Sequence, residues 1–412
     1  MSRPKILFLA HLLPWRLDDG GRIKSYHTLR LLGERYDLTL CALLRTGEFG
    51  GVEVAQKSPR PNLSAEHWFS LDRNLLSNPI HAAFALTRKK SFVIIRDNVE
   101  SLASSMSYLL GEERYDAIHL DHLQMAQFVP DTLPYDARII LDQHNVEHRI
   151  IRRIAETPGA NPLLRWYAGV EWRKLRDFET AALRRADATL AVSDADRDAF
   201  LSLAPDLAGK IETVPIGVDT DYFAVAERAP DADTILSIGT MSWLPNIDAV
   251  CWFVTEILPL VREKKPGVRV AVVGANPAKE VLALGKRDPA VAVSGTVPDV
   301  RPYAKECGVF IVPLRSGSGV RVKILNALAM GLPVVSTALG AEGIAVTHGL
   351  NILIADTPRD FADAVCRVLT DRAFADRLGT NGRALVEQNY TWEAVGRRLH
   401  AVYDRVLGTG AA

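Results

Sequence analysis

The sequence is sparing with residues that mark several classes of protein. It has four cysteines in 412 residues, Cys41, Cys251, Cys307 and Cys366, widely spaced and with no C-x-x-C pair. That spacing speaks against a structural zinc site and a disulfide scaffold, and it suits a reducing compartment, so a cytoplasmic location is expected. No stretch approaches the roughly 18 unbroken apolar residues of a membrane-crossing helix. No charge of one sign dominates, since 49 Lys and Arg stand against 49 Asp and Glu, a formal net charge of +0. The signs are also balanced within each half, so no half reads as a nucleic-acid-binding block. No internal repeat, low-complexity tract or long charge run interrupts the chain.

What is present is an ordinary globular composition, 48% apolar and 24% charged, in a chain too long for one typical core. The N-terminus has the charged-then-apolar opening of a signal peptide. Pro14, Trp15 and Arg16 then stand where a small-x-small cleavage site would be, so 6–13 reads as a buried first strand.

Short continuous apolar runs at 5–10, 38–44, 117–120, 139–141 and 189–192 alternate with amphipathic stretches at 25–35, 166–185 and 195–203. Strands buried on both faces, with helices between them, predict a parallel sheet. After Pro215 to Asp219 the pattern restarts, with strands expected at 234–238, 268–273, 290–293, 309–312, 334–336 and 352–354. Helices are expected between them at 247–263, 320–330 and 359–370. The fold class is therefore α/β, with two Rossmann-like domains. The first is expected over 1–213 and the second over 214–390, with a linker near 214–232. An amphipathic helix over 391–412 is placed to pack back on the first domain. Such a pair commonly holds its ligand in a central cleft at the carboxyl ends of the strands.

The richest segment runs from Val309 to Gly343. A strand enters the turn Pro313-Leu314-Arg315-Ser316-Gly317-Ser318-Gly319-Val320, a helix carries Arg321, Lys323 and Asn326, and Gly331-Leu332-Pro333 ends it. Glycines admit a ligand close to the backbone, and the first N–H groups of a helix attract anions. Two cations at that end are unfavourable, by about 0.3–1 kcal/mol each, until an anion arrives. A diphosphate fits that description; a surface turn with two solvated cations is the plainer alternative.

With these residues in view, the chain resembles the retaining glycosyltransferases of GT-B fold, family 4, of the type that builds bacterial polysaccharides. The resemblance spans nearly the whole length. It rests also on Lys5–Leu9 with Gly20-Gly21-Arg22-Ile23-Lys24-Ser25-Tyr26, on Asp142-Gln143-His144-Asn145-Val146-Glu147, and on Ala186 to Ser193. Val214 to Asp219, Ile238-Gly239 through Trp243 to Asn246, and Gly340-Ala341-Glu342-Gly343 complete it. The subgroup with a Gly-Ser-Gly-x-Arg-x-Lys pattern matches at Gly317 to Lys323.

The sequence departs from the family in two places. Ser318 and Asn326 stand where the family usually carries Glu-x7-Glu, whose second Glu holds the ribose. The usual Arg and Lys after the second domain's first strand give way to Gly239-Thr240-Met241-Ser242-Trp243. Asn326 still makes hydrogen bonds, but without the charge that roughly doubles their strength.

The resemblance implies the following roles. Arg321 and Lys323 neutralise the leaving diphosphate in place of the missing pair. Asn326 and Glu342 hold the ribose, with Gly343 beside them, while Val297 and Pro298 border the base. Gly317, Ser318, Gly319, Gly239 and Gly21 line the donor site. His122, after the strand at 117–120, lies near the reacting centre, where a satisfied structural histidine is the alternative. Gly20 and His144 lie on the acceptor side. The co-substrate would be a UDP- or GDP-linked sugar with no metal or other cofactor, and the acceptor a saccharide or lipid-linked saccharide. The location implied is cytoplasmic, at the inner membrane face, with weak peripheral membrane contact. The residues carry no signal for an oligomeric state. A nucleotide-sugar 2-epimerase and a non-catalytic binding partner are the rival readings.

Three look-alikes need weighing. His144-Asn145-Val146-Glu147-His148 spells a zinc-protease motif, but that motif needs both histidines on one helix and a strand is expected to end at 141–142. Asp219-Thr220-Asp221 spells a metal-binding D-x-D, yet lies in the linker and is expected to be structural. Arg88-Lys89-Lys90 reads as a solvated helix end before a membrane-surface one.

Overall fold

The structure, a computed structural model, describes residues 3–17, 19–45, 60–71, 78–157, 161–229 and 233–409. The last three residues of the linker expected at 214–232 therefore lie outside the described residues. The chain divides into two compact units, Met1–Pro215 with Gly396–Ala412, and Ile216–Val395.

Unit 1 is built on seven parallel strands. They are β1 (Lys5–Ala10), β2 (Asp37–Arg45), β3 (Ala65–Leu71), β4 (Ala117–Asp121), β5 (Arg138–Gln143), β6 (Ala188–Ala191) and β7 (Ile211–Thr213), in the order β3-β2-β1-β4-β5-β6-β7. Unit 2 has six: β8 (Thr234–Ile238), β9 (Val270–Val273), β10 (Val291–Gly295), β11 (Cys307–Val312), β12 (Val334–Ser336) and β13 (Leu353–Ile354), ordered β10-β9-β8-β11-β12-β13. In both sheets the order reverses beside the first strand, between β1 and β4 and between β8 and β11. Loops diverge at such a point and leave a crevice at the strands' carboxyl ends.

The strands form where apolar residues run without interruption, because helices cover both faces. Ile6 to Ala10 are fully buried, and Leu7, Leu9, Cys41, Ile118 and Leu141 belong to one core. Ile235, Val270, Val272, Ile311 and Val335 do the same for unit 2. Two strands escaped the sequence reading. β3 is only partly buried and mixes Glu66, His67 and Ser70 with its apolar residues, and β7 is three residues long, so neither shows a continuous apolar run.

Helix Leu244–Lys264 is long and apolar enough to cross a membrane by length and composition alone. Here it delivers Val250, Trp252, Phe253, Ile257, Leu258 and Val261 to the core of unit 2. It widens into a π turn over Phe253–Ile257, just before Pro259. Proline has no N–H for the helical ladder, which accounts for the local rearrangement. From Gly396 on, the last helix, Trp392–Leu407, belongs to unit 1. Its Tyr403 is fully buried, with the hydroxyl 2.8 Å from His119 Nδ1 on β4.

Two helix starts differ from expectation. The first helix spans Gly20–Gly33 rather than 25–35, so Gly20 and Gly21 form its first turn rather than a loop. The Asp19 carboxylate makes this early start favourable by accepting the Arg22 backbone N–H at 2.9 Å. The helix expected over 320–330 is Val322–Ala329. Gly317 to Val320 precede it as an irregular turn, with Gly317 and Gly319 at φ of 117° and 79°, a backbone conformation favouring glycine.

The carboxyl ends of β8, β9 and β10 are joined through backbone alone. Gly239 N–H donates to Val273 O at 3.0 Å, and Gly274 N–H donates to Gly295 O at 3.2 Å. A Cβ on Gly274 would lie 1.7 Å from Gly239 O. Gly274→Ala must therefore push the Gly239 turn away, at a cost of about 1–3 kcal/mol or more. Chemical denaturation is expected to show that loss.

Candidate active-site residues in the two units

In unit 2 the turn after β8 and the segment after β11 come together. Lys323 Nζ donates to Asn246 Oδ1 at 2.7 Å, and Asn246 Nδ2 donates to Thr240 O at 3.0 Å. A Cβ on Gly239 would lie 3.1 Å from Lys323 Nζ and 2.7 Å from Asn246 Nδ2. Glycine is therefore what lets this turn sit against the lysine. A Cβ on Gly317 would lie 3.2 Å from the Trp243 ring and 3.3 Å from Arg321 Nη2. Gly239, Gly317, Arg321 and Lys323 thus share one neighbourhood, to which the structure adds Trp243 and Asn246.

Arg321 is 5% exposed and directly precedes the helix Val322–Ala329. Its Nη1 donates to the carbonyls of Ser318 and Gly319, folding the glycine turn around the guanidinium. The anion-attracting helix start is thus at Val322, two residues later than the 320 expected from the sequence. Burial, with Arg321 as a second cation nearby, pushes the Lys323 ammonium down to about 7. No carboxylate pairs with Lys323 among the described residues.

Asn326 lies one helical turn beyond Lys323 and is half-buried. Glu342 and Gly343 are also half-buried, and Gly343 has φ of 82°. They follow a turn fixed by Gly340, whose N–H donates to Thr337 Oγ1 at 2.9 Å. Val297 and Pro298 lie in the loop after β10, and no hydrogen bond among the described residues ties them to Arg321 or Lys323.

In unit 1 the structure brings His122 and His144 together, with ring centroids 3.7 Å apart. Fully buried Asp121 closes β4 between them, with Oδ2 3.2 Å from His122 Nδ1 and Oδ1 2.9 Å from His144 Nε2. Ser25 Oγ donates to Asp121 Oδ2 at 2.7 Å. Burial opposes the Asp121 charge, but His144 and His122 outweigh it and hold the carboxyl well below the usual carboxylate range. Burial, His122 and Lys24 push His144 down to about 4; for His122, burial is overcome by Asp121 and the pKa rises. A Cβ on Gly21 would lie 3.6 Å from His122 Nε2 and 3.8 Å from His144 Nδ1, so Gly21 belongs to this group. Gly20 stands next to it at the helix start.

Around the histidines lie groups that sequence reasoning passed over. Lys24, 2% exposed, pairs with both oxygens of fully buried Asp142. His11 Nε2 lies 3.0 Å from Asp97 Oδ2. Burial and the nearby Glu179 raise Glu147 to about 7. Lys24, Ser25, Asp142 and Glu147 all lie in the segments that carried the family resemblance, but only strand order shows them meeting.

The look-alikes resolve differently. His148 lies on helix Glu147–Glu156 and faces Glu179, whereas His144 lies before that helix and faces Asp121, so the two are not on one helical face. Asp219 Oδ1 accepts the N–H groups of Asp221 at 3.1 Å and Tyr222 at 2.8 Å, a turn-forming role. Arg88, Lys89 and Lys90 are exposed, with Arg88 stacked over the Phe84 ring.

Two parallel α/β units, each with polar groups gathered at strand carboxyl ends, are the build of the GT-B glycosyltransferases. Family models agree: Glycosyltransferase Family 4 matches residues 79–222 and Glycosyl transferases group 1 matches 232–371, together more than half of the chain. The chain belongs to family 4 of the glycosyltransferases.

Among its relatives is the GDP-mannose-dependent alpha-(1-6)-phosphatidylinositol monomannoside mannosyltransferase of Mycobacterium tuberculosis. It is 29% identical over 60% of this chain and 70% of that protein. The D-inositol 3-phosphate glycosyltransferase of a Nocardioides species is 28% identical over 55% of each. Similar solved folds include sucrose-phosphate synthase of Thermosynechococcus elongatus, with a TM-score of 0.69, 16% identity, and coverage of 99% of this chain and 100% of that one. Another is Anabaena HepE in complex with UDP-glucose, with a TM-score of 0.64, 14% identity, and coverage of 98% and 100%.

The Lys24–Asp142 pair gives a stability prediction. Lys24→Met leaves a buried carboxylate without its cation, which costs about 3–5 kcal/mol. Urea unfolding of the variant is expected to show that loss, with far less for a surface change such as Lys89→Met.

Proposed function

We propose that the chain transfers a glycosyl group from a nucleoside-diphosphate sugar to a saccharide or lipid-linked acceptor, with retention of configuration and without a metal. The observation that carries this is Lys323, a half-buried amine beside Arg321, with an amide rather than a carboxylate as its partner. An amine held by an amide beside a second cation gains its charge at lower cost when an anion joins it. A diphosphate supplies that anion, and its charge grows as the bond to the sugar breaks, so the same groups stabilise the transition state more than the bound donor. The Asp219 carboxylate of the D-x-D look-alike already serves a turn.

Asn326 and Glu342 are the residues assigned to the ribose, Gly239, Gly317, Ser318 and Gly319 to the phosphates, and Val297 and Pro298 to the edge of the base. His122 serves near the reacting carbon, and His144 with Gly20 serves the acceptor. The mycobacterial relative is named for GDP-mannose and the HepE complex for UDP-glucose, so both UDP and GDP sugars belong in the trial. A membrane-linked acceptor, a role in polysaccharide biosynthesis and a location at the inner membrane face agree with the relative's named phosphatidylinositol mannoside. Exposed Arg88, Lys89 and Lys90 suit weak contact with an anionic membrane surface.

Glu147, with its carboxyl near 7, gives the epimerase alternative a candidate acid–base group. A panel of donors separates the two: slow release of nucleoside diphosphate and transfer to an acceptor support the proposal, while an epimerised nucleotide sugar refutes it. In a transferase assay, Arg321→Ala and Lys323→Ala are each expected to lower kcat and kcat/KM by about a hundredfold or more. Wild-type turnover in both variants removes the leaving-group role.

Binding carries a proton signature. Lys323 is partly neutral in the free protein, and a diphosphate favours the ammonium, so UDP or GDP binding near pH 8 takes up protons. Calorimetry in buffers of different ionisation enthalpy is expected to show uptake in the wild type and little in Lys323→Met.

A further inference from the structure

We propose that Asp121 is a positioning residue that fixes the tautomer of His122, leaving the bare Nε2 of that ring directed at Gly21. The tautomer argument stands on unit 1 alone; its consequence for turnover rests on the transferase reading above.

A carboxylate can only accept hydrogen bonds, whereas a neutral imidazole has one N–H and one lone pair. Asp121 is fully buried; its Oδ2 is hydrogen-bonded to His122 Nδ1 at 3.2 Å, while its Oδ1 lies 2.9 Å from His144 Nε2 without a hydrogen bond. Nδ1 of His122 therefore carries the hydrogen, which leaves its Nε2 bare. His122 Nε2 and His144 Nδ1 lie 3.6 and 3.8 Å from where a Gly21 Cβ would be. Asp19 Oδ1 lies 3.2 Å from that same point. The bare His122 Nε2 and Asp19 Oδ1 over Gly21 are thus hydrogen-bond acceptors and suit a ligand that brings hydroxyl donors, as a sugar or polyol does.

The surroundings hold the arrangement. His122 has φ of 84°, a left-handed conformation rare outside glycine, and keeps it with its N–H on Asp142 O at 2.9 Å and its carbonyl accepting from Met125 at 3.1 Å. Ser25 secures Asp121 from the first helix. The other charged or titratable groups nearby are Lys24, Asp142, His119, His11 and Glu147. Lys24 and Asp142 neutralise each other, burial pushes His119 down to about 4, and His11 faces Asp97. Two rings 3.7 Å apart also repel a second proton, in keeping with the opposite shifts of the two histidines.

The test is spectroscopic and uses the full chain. With 15N-labelled histidine, at a pH above the titration of both rings as read from the same spectra, two-bond 15N–1H spectra are expected to show His122 protonated on Nδ1. His122→Gln and His144→Gln assign the signals. Asp121→Asn, whose amide both donates and accepts, is expected to shift His122 towards protonation on Nε2. It should also lower kcat about 10–100-fold with donor KM little changed, the scale of losing a group that orients a functional histidine. His122 protonated on Nε2 in the wild type, or its tautomer unchanged in Asp121→Asn, overturns the proposal. If Asp121→Asn does not fold, the wild-type spectrum alone decides. The expected tautomer with no transfer to any donor–acceptor pair would leave the Asp121 lock standing and the transferase reading refuted.

Discussion

Lys24 and Asp142 meet where almost no water reaches them, and much of unit 1 is arranged around that ion pair. Lys24 comes from the first helix and Asp142 from β5, so the pair ties the helix to the sheet at the strands' carboxyl end. Two buried charges are tolerable only when each answers the other. With Asp142 neutralised, the neighbouring strand end can carry a second carboxylate, Asp121, and assign it to two histidines and Ser25. His119 continues the polar layer beneath them and reaches Tyr403 from the last helix. Removing one charge from such a layer disturbs hydrogen bonds contributed by four separate segments.

Unit 2 solves the same problem differently. Its strand ends approach through glycine, with backbone N–H groups of Gly239 and Gly274 donating to the next strand's carbonyls. The basic group there, half-buried Lys323, has no carboxylate answer among the described residues. A protein interior leaves a charge uncompensated where a ligand completes the pairing, and this asymmetry is the physical basis for assigning the anionic donor to unit 2. The departures from the family pattern acquire a reason in the same place. Lys323 reaches back to the turn where family members usually carry cations, so the positive charge is retained while its sequence position has moved.

Much of the fold was legible in the sequence. Continuous apolar runs named most of the strands, and their alternation with amphipathic stretches gave two parallel-sheet units, because a parallel strand is covered on both faces and can carry little polar residue. Edge strands β3 and β7 were missed because edges are covered on fewer sides and their pattern is broken. Helix starts were misplaced at Gly20 and Val322 because glycine near a helix end reads equally as loop or first turn; an Asp19 cap settled one case and positive-φ glycines the other.

The candidate site divides along the same line. The sequence by itself determined the glycine turn, its cations Arg321 and Lys323, and His122 at a strand end, since those signals are local and lie within a few residues of one another. Only the tertiary structure decided which groups they meet: Lys323 with Asn246, His122 with His144 through Asp121, Lys24 with Asp142. Burial follows from a segment's own periodicity. The partner of a buried polar side chain follows instead from which strand lies next to which, and that order is set by the packing of the whole unit.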